Sequence, residues 1–194
     1  MINKKHLSHL VWIDLEMSGL NPEVDVILEI ATIITDNELN VIAQGPSYAI
    51  WQPDEILNNM NSWCTRQHGR TGLIEEVRNS DVRIEKACDA TINFVKQHCL
   101  PQKAVLAGNS IWVDRMFLQK YMPNLVSYLH YRLIDVSSVK ELVQRWYPNN
   151  PKIEFKKGDS HRALDDVQAS IEELAHYRKY FFINQAPGTG KSNN

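Results

Sequence analysis

The chain reads as an α/β fold: a mixed sheet in which three antiparallel strands lead and parallel strands covered by helices follow. Three observations predict it. Strand-like segments at 9–16, 27–35 and 41–51 are separated only by short, turn-bearing stretches. Amphipathic helical patterns dominate from residue 82 onward, and between them stand short apolar runs at 104–108 and 133–134. Short connections suit antiparallel neighbours, whereas strands separated by helices suit parallel ones.

The first strand holds Val11-Trp12-Ile13-Asp14-Leu15-Glu16, and Asn21-Pro22 marks the turn after it. The second, 27–35, ends at the turn Asp36-Asn37, and the third covers 41–51. Residues 82–99 form a helix with Ile84, Ala87, Cys88, Thr91, Ile92 and Val95 on one stripe, ended by Pro101. A buried strand at 104–108 precedes a helix over 113–121, before Pro123. A brief strand at 133–134 runs into a helix over 136–146 that Pro148 stops. A polar loop bearing proline, glycine and lysine spans 148–160. The last helix covers 162–181, with Leu164, Val167, Ile171, Leu174, Ala175 and Arg178 expected on its inner stripe.

With 194 residues and 43% hydrophobic content, the chain can build one full core. Residues 1–183 are therefore read as a single domain and the Gly/Ser/Asn-rich stretch 184–194 as a disordered tail. In that tail Gly188-Thr189-Gly190-Lys191-Ser192 imitates a phosphate-binding loop, but Gln185 stands where the leading glycine belongs and the required helix does not follow. No run approaches the roughly 18 apolar residues of a membrane span, and the polar start has no apolar core of a secretion signal. Cys64, Cys88 and Cys99 are odd in number without Cys-x-x-Cys spacing, which fits reduced thiols and a cytoplasmic location. Zinc on Cys64 and His68 would lack a second ligand pair. The net charge of −2 argues against a protein that grips long nucleic acid by phosphate neutralisation. Lys152, Lys156, Lys157 and Arg162 make only a local basic group, so a nucleic-acid substrate would be short, or held by metal and a few contacts.

Chemistry concentrates in the acids. Asp14 and Glu16, two apart in a strand, project from one face. Among Val11, Trp12, Ile13 and Leu15 they repel each other and lose hydration unless a cation sits between them. A hard divalent metal meets that need; a strand edge with two solvated acids is the alternative. Asp114 stands near a helix start, where an acid also suits the helix dipole. In His161-Arg162-Ala163-Leu164-Asp165-Asp166 the two aspartates flank the inner stripe almost symmetrically at about 100° per residue, so periodicity does not choose between them. His161, at a helix start, gains nothing from the dipole; it is a solvated loop residue or a general base. Four carboxylates can hold two divalent ions about 3.5–4 Å apart, and a neutral histidine beside them can deprotonate water. These residue types point to metal-dependent phosphodiester hydrolysis.

The order Asp14-x-Glu16, Asp114 after Gly108-Asn109-Ser110, and His161-x-x-x-x-Asp166 resembles the DEDDh 3′–5′ exonucleases, across residues 8–180. The blocks 12–20, 107–110 and 130–137 are most similar to the branch of that family acting on very short RNA. The resemblance implies a ribonuclease-H-like fold and two divalent ions, Mg²⁺ or Mn²⁺, on Asp14, Glu16, Asp114 and Asp166. His161 would be the general base, and the family spacing selects Asp166 over Asp165. Leu20 and Trp63 would pack against the bases of single-stranded RNA of roughly two to five nucleotides, a sequence-tolerant mode, with His68 nearby. Ser110 would lie near the 5′ phosphate. Tyr131, counted with the catalytic set, and Arg132 and Ser137 look like the stretch a partner subunit contributes, which implies a homodimer with composite sites. The implied activity is 3′-to-5′ hydrolysis of short oligoribonucleotides, dinucleotides above all, to nucleoside 5′-monophosphates in the last step of RNA decay. Without the resemblance, Leu20 reads as core, Trp63 as a partly buried aromatic, and Tyr131 with Arg132 as a surface pair. Two other functions are weighed: a DEDDh exonuclease for long or DNA substrates, and a non-catalytic nucleotide-binding module.

Overall fold

The computed structural model describes residues 9–156, 158 and 161–182. The expected domain edge at 183, the tail 184–194 and its phosphate-loop imitation lie outside the described residues, as do Lys157, Asp159 and Ser160.

Strand alternation sets the architecture. In β1 (Leu10–Met17), Val11, Ile13 and Leu15 enter one apolar layer while Leu10 and Trp12 enter another. β2 (Ile27–Thr35) is buried along its whole length because both faces are covered. β3 (Val41–Ala49) is much more exposed, carries Pro46 and forms a sheet edge. It stops at Ala49, two residues before the expected end at 51. Four helices follow: α1 (Asp54–Asn58), α2 (Ser62–Arg70), α3 (Leu73–Asn79) and α4 (Ile84–His98). The first three occupy a stretch without predicted elements. Then come β4 (Val105–Gly108), α5 (Ile111–Tyr121), α6 (Pro123–Tyr128), β5 (Leu133–Asp135), α7 (Val136–Trp146) and α8 (Ala163–Phe181).

The sheet order is β3-β2-β1-β4-β5. β1–β2 and β2–β3 are antiparallel, and β1–β4 and β4–β5 are parallel, giving the expected mixed sheet. One face packs Val11, Ile13, Leu15, Ile30 and Ile34 against α4, α5 and α6. The other packs Trp12, Ala31, Ile33 and Ala107 against α7 and α8. A smaller cluster gathers Leu57, Cys64, Leu73 and Val77 of α1–α3 around Leu28.

Two details place the site. β1 outruns β4, since their last paired residues are Trp12 and Ala107, so the end of β1 opens beside the start of α5. The inner face of α8 is Ala163, Val167, Ser170, Ile171, Glu173, Tyr177 and Phe181, whereas Ala175 and Arg178 of the expected stripe are exposed. The face is rotated because the buried polar residues Ser170 and Glu173 belong to it, and Arg178 turns outward to pair with Glu38.

Candidate active site

Asp14 and Glu16 stand on the α8 side of β1, two and four residues beyond Trp12 on the same face. The rotated face of α8 brings Asp166 to them: one carboxylate oxygen from each of Asp14, Glu16 and Asp166 lies within 4.8 Å of the others. Asp165 is exposed, so helix geometry and family spacing agree on Asp166. Asp114, in the first turn of α5, is buried and stands outside this trio, near enough to Glu16 to act on its charge, and its Oδ1 accepts the Leu15 N–H at 2.9 Å. That N–H is available because β4 has already ended.

The electrostatics follow from crowding. Burial, then Asp166, Glu29 and Asp114, push Glu16 up to about 8, Arg162 opposing. Burial also raises Asp114, with the Leu15 N–H working against it. Crowded, half-buried carboxylates that resist ionising together form an oxygen-only donor set suited to a hard divalent cation. The residues present fit such an ion.

A cavity of about 420 Å³ opens beside Glu16, lined by Met17, Gly19, Leu20, Asn61, Trp63, Cys64 and His68 among others. Leu20 is 72% exposed and Trp63 56%, which removes the core reading of Leu20. Asn61 starts α2 by accepting the Trp63 and Cys64 N–H groups at 3.0 and 2.9 Å, holding Trp63 in the first turn. One turn later His68 is buried, with Nε2 2.9 Å from the Met17 carbonyl. A carbonyl only accepts, so Nε2 carries the proton and Nδ1 keeps a lone pair. Among the described residues Nδ1 has no hydrogen-bond partner, and it lies 3.8 Å from Glu16 Oε2. Burial lowers the His68 pKa, which keeps the ring neutral.

His161 is half-buried with φ of 46°, immediately before α8. The next residue anchors it. Arg162 meets Glu29 of β2 through Nε and Nη2 at 2.9–3.2 Å and Glu76 of α3 at 2.6 and 2.9 Å. Glu29 also accepts the Ala163 N–H at 3.1 Å, and it faces Glu16 across the β1–β2 ladder. The helix bearing Asp166 and the residue preceding it are thus tied to the strand pair bearing the other acids.

A second polar group lies at the β4–α5 and β5–α7 junctions. Ser110 N donates to Asp135 Oδ1 at 2.9 Å and to Ser137 Oγ at 3.0 Å, and the two serine hydroxyls are 3.2 Å apart. Asn109 joins them to α8: its Oδ1 accepts from Ser137 Oγ, and its Nδ2 donates to Ser170 Oγ at 2.7 Å. Tyr131, highly exposed, stacks on His130, and the Arg132 guanidinium lies 5.4 Å from the Tyr131 ring centre. Tyr131 lines a different cavity, with Arg115 and His130, and is not among the residues around the Glu16 cavity.

A sequence profile described as Exonuclease (RNase_T) matches residues 11–174. The oligoribonuclease of Pseudomonas fluorescens is 53% identical over 173 residues, 89% of this chain and 96% of that protein. The mitochondrial oligoribonuclease of Homo sapiens is 49% identical over 173 residues, 89% of this chain and 73% of its own. The chain belongs to the oligoribonuclease family of exonucleases.

Solved structures similar to this family member include E. coli exonuclease I in complex with a dT13 oligonucleotide, with a TM-score of 0.67 and 20% identity over 88% of this chain. Exonuclease I from Methylocaldum szegediense gives 0.66 and 18% over 90%. The chain spans about two fifths of those proteins, 41% in each case, and the likeness concerns the fold, which is ribonuclease-H-like as expected. Among the described residues, no helix is long and apolar enough to cross a membrane. The residues expected from the sequence do not include Glu29, Glu76 and Asn61. Glu29 had a signal, an acid inside the apolar run Ile27–Thr35; the others are polar residues in turns or short helices that no spacing distinguishes.

Proposed function

We propose that this chain is a divalent-metal-dependent 3′-to-5′ exoribonuclease that degrades very short RNA, dinucleotides above all, to nucleoside 5′-monophosphates. One observation carries the reading: a trio of carboxylates within 4.8 Å adjoins a cavity flanked by an exposed leucine and an exposed tryptophan. The cavity volume of about 420 Å³ lies in the small-ligand range of ~300–1,000 Å³ and favours a short substrate over a long strand. The net charge of −2 favours the same choice.

Asp14, Glu16, Asp114 and Asp166 would hold the ions, with Mg²⁺ or Mn²⁺ and a count of two suiting an all-carboxylate set. When bound, such ions supply charge stabilisation to the attacking and leaving oxygens of the phosphoryl transfer. His161 takes the proton of the attacking water on an imidazole nitrogen. Trp63 offers a ring face and Leu20 an apolar edge to the bases, which reads length and not base identity. His68 lies beside the bound bases, buried at the wall of the cavity with Nδ1 toward Glu16. Ser110 receives the 5′ phosphate together with Ser137, which hydrogen-bonds to it within the same chain and is therefore set apart from the stretch that reaches across the dimer. Tyr131 and Arg132 reach the neighbouring site of a homodimer, and Tyr131 acts there with the catalytic set. Residues 1–183 form the single exonuclease domain, 184–194 a tail, and the protein works in the cytoplasm.

The test is hydrolysis of 5′-labelled RNA of two, seven and twenty nucleotides with Mg²⁺ or Mn²⁺, with and without chelator. Fast turnover of the dinucleotide that chelator abolishes is expected. Activity indifferent to chelator refutes the metal role, and equal turnover of all lengths refutes the short-substrate preference.

A further inference from the structure

Leu20 is 72% exposed, yet the loop that presents it is densely wired, and the wiring centres on one carboxylate. Asp25 Oδ1 accepts the Ser18 hydroxyl at 2.9 Å and Oδ2 accepts the Asn21 N–H at 2.9 Å, so a single side chain grips the residues on both sides of Gly19-Leu20. Ser18 Oγ in turn accepts the Val26 N–H at 3.1 Å, and the main chain closes the loop with Ser18 N to Val26 O at 3.0 Å and Asp25 N to Asn21 O at 2.8 Å. A Cβ at Gly19 would run into the Asp25 carboxylate, so the absence of a side chain there is what lets the acid sit beneath Leu20. The loop is also tied to α5. Tyr121 OH donates to the Asp25 carbonyl at 2.7 Å, and Lys120 Nζ donates to the carbonyls of Pro22 and Glu23. Asp114 occupies the first turn of that helix, seven residues before Tyr121, which is about 10 Å along a helix axis.

We infer that Asp25 is a positioning residue: by bracing Leu20 and docking its loop on the end of α5, it fixes the distance between the base-packing edge and the acid group. One rigid helix thereby acts as the ruler between Leu20 and the acids. Without this brace the loop keeps its main-chain closure and its ties to α5, but the two residues flanking Gly19-Leu20 lose their common anchor, and Leu20 can turn back onto apolar surface. The inference rests on the reading of Leu20 as a base contact.

The experiment uses the full chain and a dinucleotide carrying 2-aminopurine, with binding followed by fluorescence in chelator, where no hydrolysis occurs, and KM and kcat measured with Mg²⁺. Leu20→Ala is expected to weaken binding about tenfold, the scale of one lost stacking contact. Asp25→Ala removes both acceptors, and should weaken binding and raise KM by about tenfold with kcat within about twofold. Tyr121→Phe, a milder change that preserves the core, should move both in the same direction by a few-fold. The Leu20→Ala/Asp25→Ala pair should bind no worse than Leu20→Ala alone, because the brace acts only through Leu20. If Leu20→Ala weakens binding while Asp25→Ala and Tyr121→Phe leave it unchanged and only lower the melting temperature, the positioning role is overturned and the base contact stands. If Leu20→Ala itself leaves binding unchanged, the base contact falls and the positioning role with it.

Discussion

Arg162→Met tests the tie between α8 and the strand pair. The Glu29 side chain is only 3% exposed and that of Arg162 28%, so the pair is largely withdrawn from water. Removing the guanidinium leaves Glu29 with the Ala163 N–H as its remaining described donor, opposite Glu16 in the ladder. Deleting one partner of a buried pair costs ~3–5 kcal/mol, because the surviving charge stays desolvated and uncompensated. The Glu76 arm is worth much less: that side chain is half-exposed, and exposed pairs contribute ~0–1 kcal/mol. A chain of this size loses ~2–4 °C per kcal/mol, so the melting temperature should fall by ~6–20 °C. Urea unfolding followed by tryptophan fluorescence measures the free energy directly. Glu76→Gln should cost under ~1 kcal/mol, and the apolar double replacement Glu29→Met/Arg162→Met should recover most of the loss of Arg162→Met. A loss below ~1 kcal/mol for Arg162→Met, or a double variant less stable than it, refutes the argument that an orphaned buried carboxylate is the penalty.

His161→Ala should lower kcat by ~10²–10⁴-fold, the range for a lost general base, with dinucleotide affinity in chelator preserved; unchanged turnover removes His161 from the mechanism. Glu16 lies near 8 in the folded chain against an ordinary 4.5, so the folded state holds a proton that the unfolded state releases. The contribution of Glu16 to stability is therefore complete below about 4.5 and is lost as pH rises toward 8. In chelator, the melting temperature of the native chain minus that of Glu16→Gln should fall across this window, and Mg²⁺ should restore the native value at its alkaline end; a difference that rises with pH contradicts the burial argument. Gly108→Ala should cost ~1–3 kcal/mol through overpacking where β4 meets β1. Its Cβ would stand 3.0 Å from the Ile13 carbonyl oxygen and 2.9 Å from Ile111 Cδ1, and wild-type urea stability of this variant would exclude that close approach.

The sheet was legible because β1 to β3 are long and their connections short, and because an isolated apolar run between helices has few other readings. α7 was read at its observed bounds, helped by Pro148 beyond its end. Over 54–79 no periodicity emerges, because five-, nine- and seven-residue helices complete too few turns to repeat a stripe. Those helices are stabilised by docking on Leu28, a tertiary fact absent from local pattern. The face of α8 was misjudged for a related reason. Hydrophobicity selected Ala175 over Ser170 and Glu173, while the fold buries the polar pair among partners from other elements, Asn109 on the β4–α5 turn and Tyr177 a turn along. A buried polar residue is recognisable only once its hydrogen-bond partner is known. The shared face of Asp14 and Glu16 was legible from β1 alone, with a cation site and a solvated strand edge both open, whereas their closeness to Asp166, the exposure of Leu20 and the lone pair of His68 required the packed chain.

The acid group and the overall charge together explain why this site depends on the topology of β1. A net charge of −2 offers an RNA phosphate no general attraction, and clustered carboxylates at Asp14, Glu16 and Asp166 repel it locally. Such a site can hold the scissile phosphate against the acids for hydrolysis only when cations reverse the sign at that point, so the acids must sit where an ion and a short strand can both enter. The end of β1 is such a place. Its antiparallel partner β2 continues beside it and supplies Glu29 with Arg162, while its parallel partner β4 has already stopped and leaves room for α5 and Asp114. A strand flanked on both sides to its end would have buried Asp14 and Glu16 beyond the reach of substrate; a strand flanked on neither would have left them solvated, with ordinary acidity and no demand for a cation. The mixed sheet lies between these extremes, and the raised affinity of Glu16 for a proton is the measurable sign of its readiness for a metal.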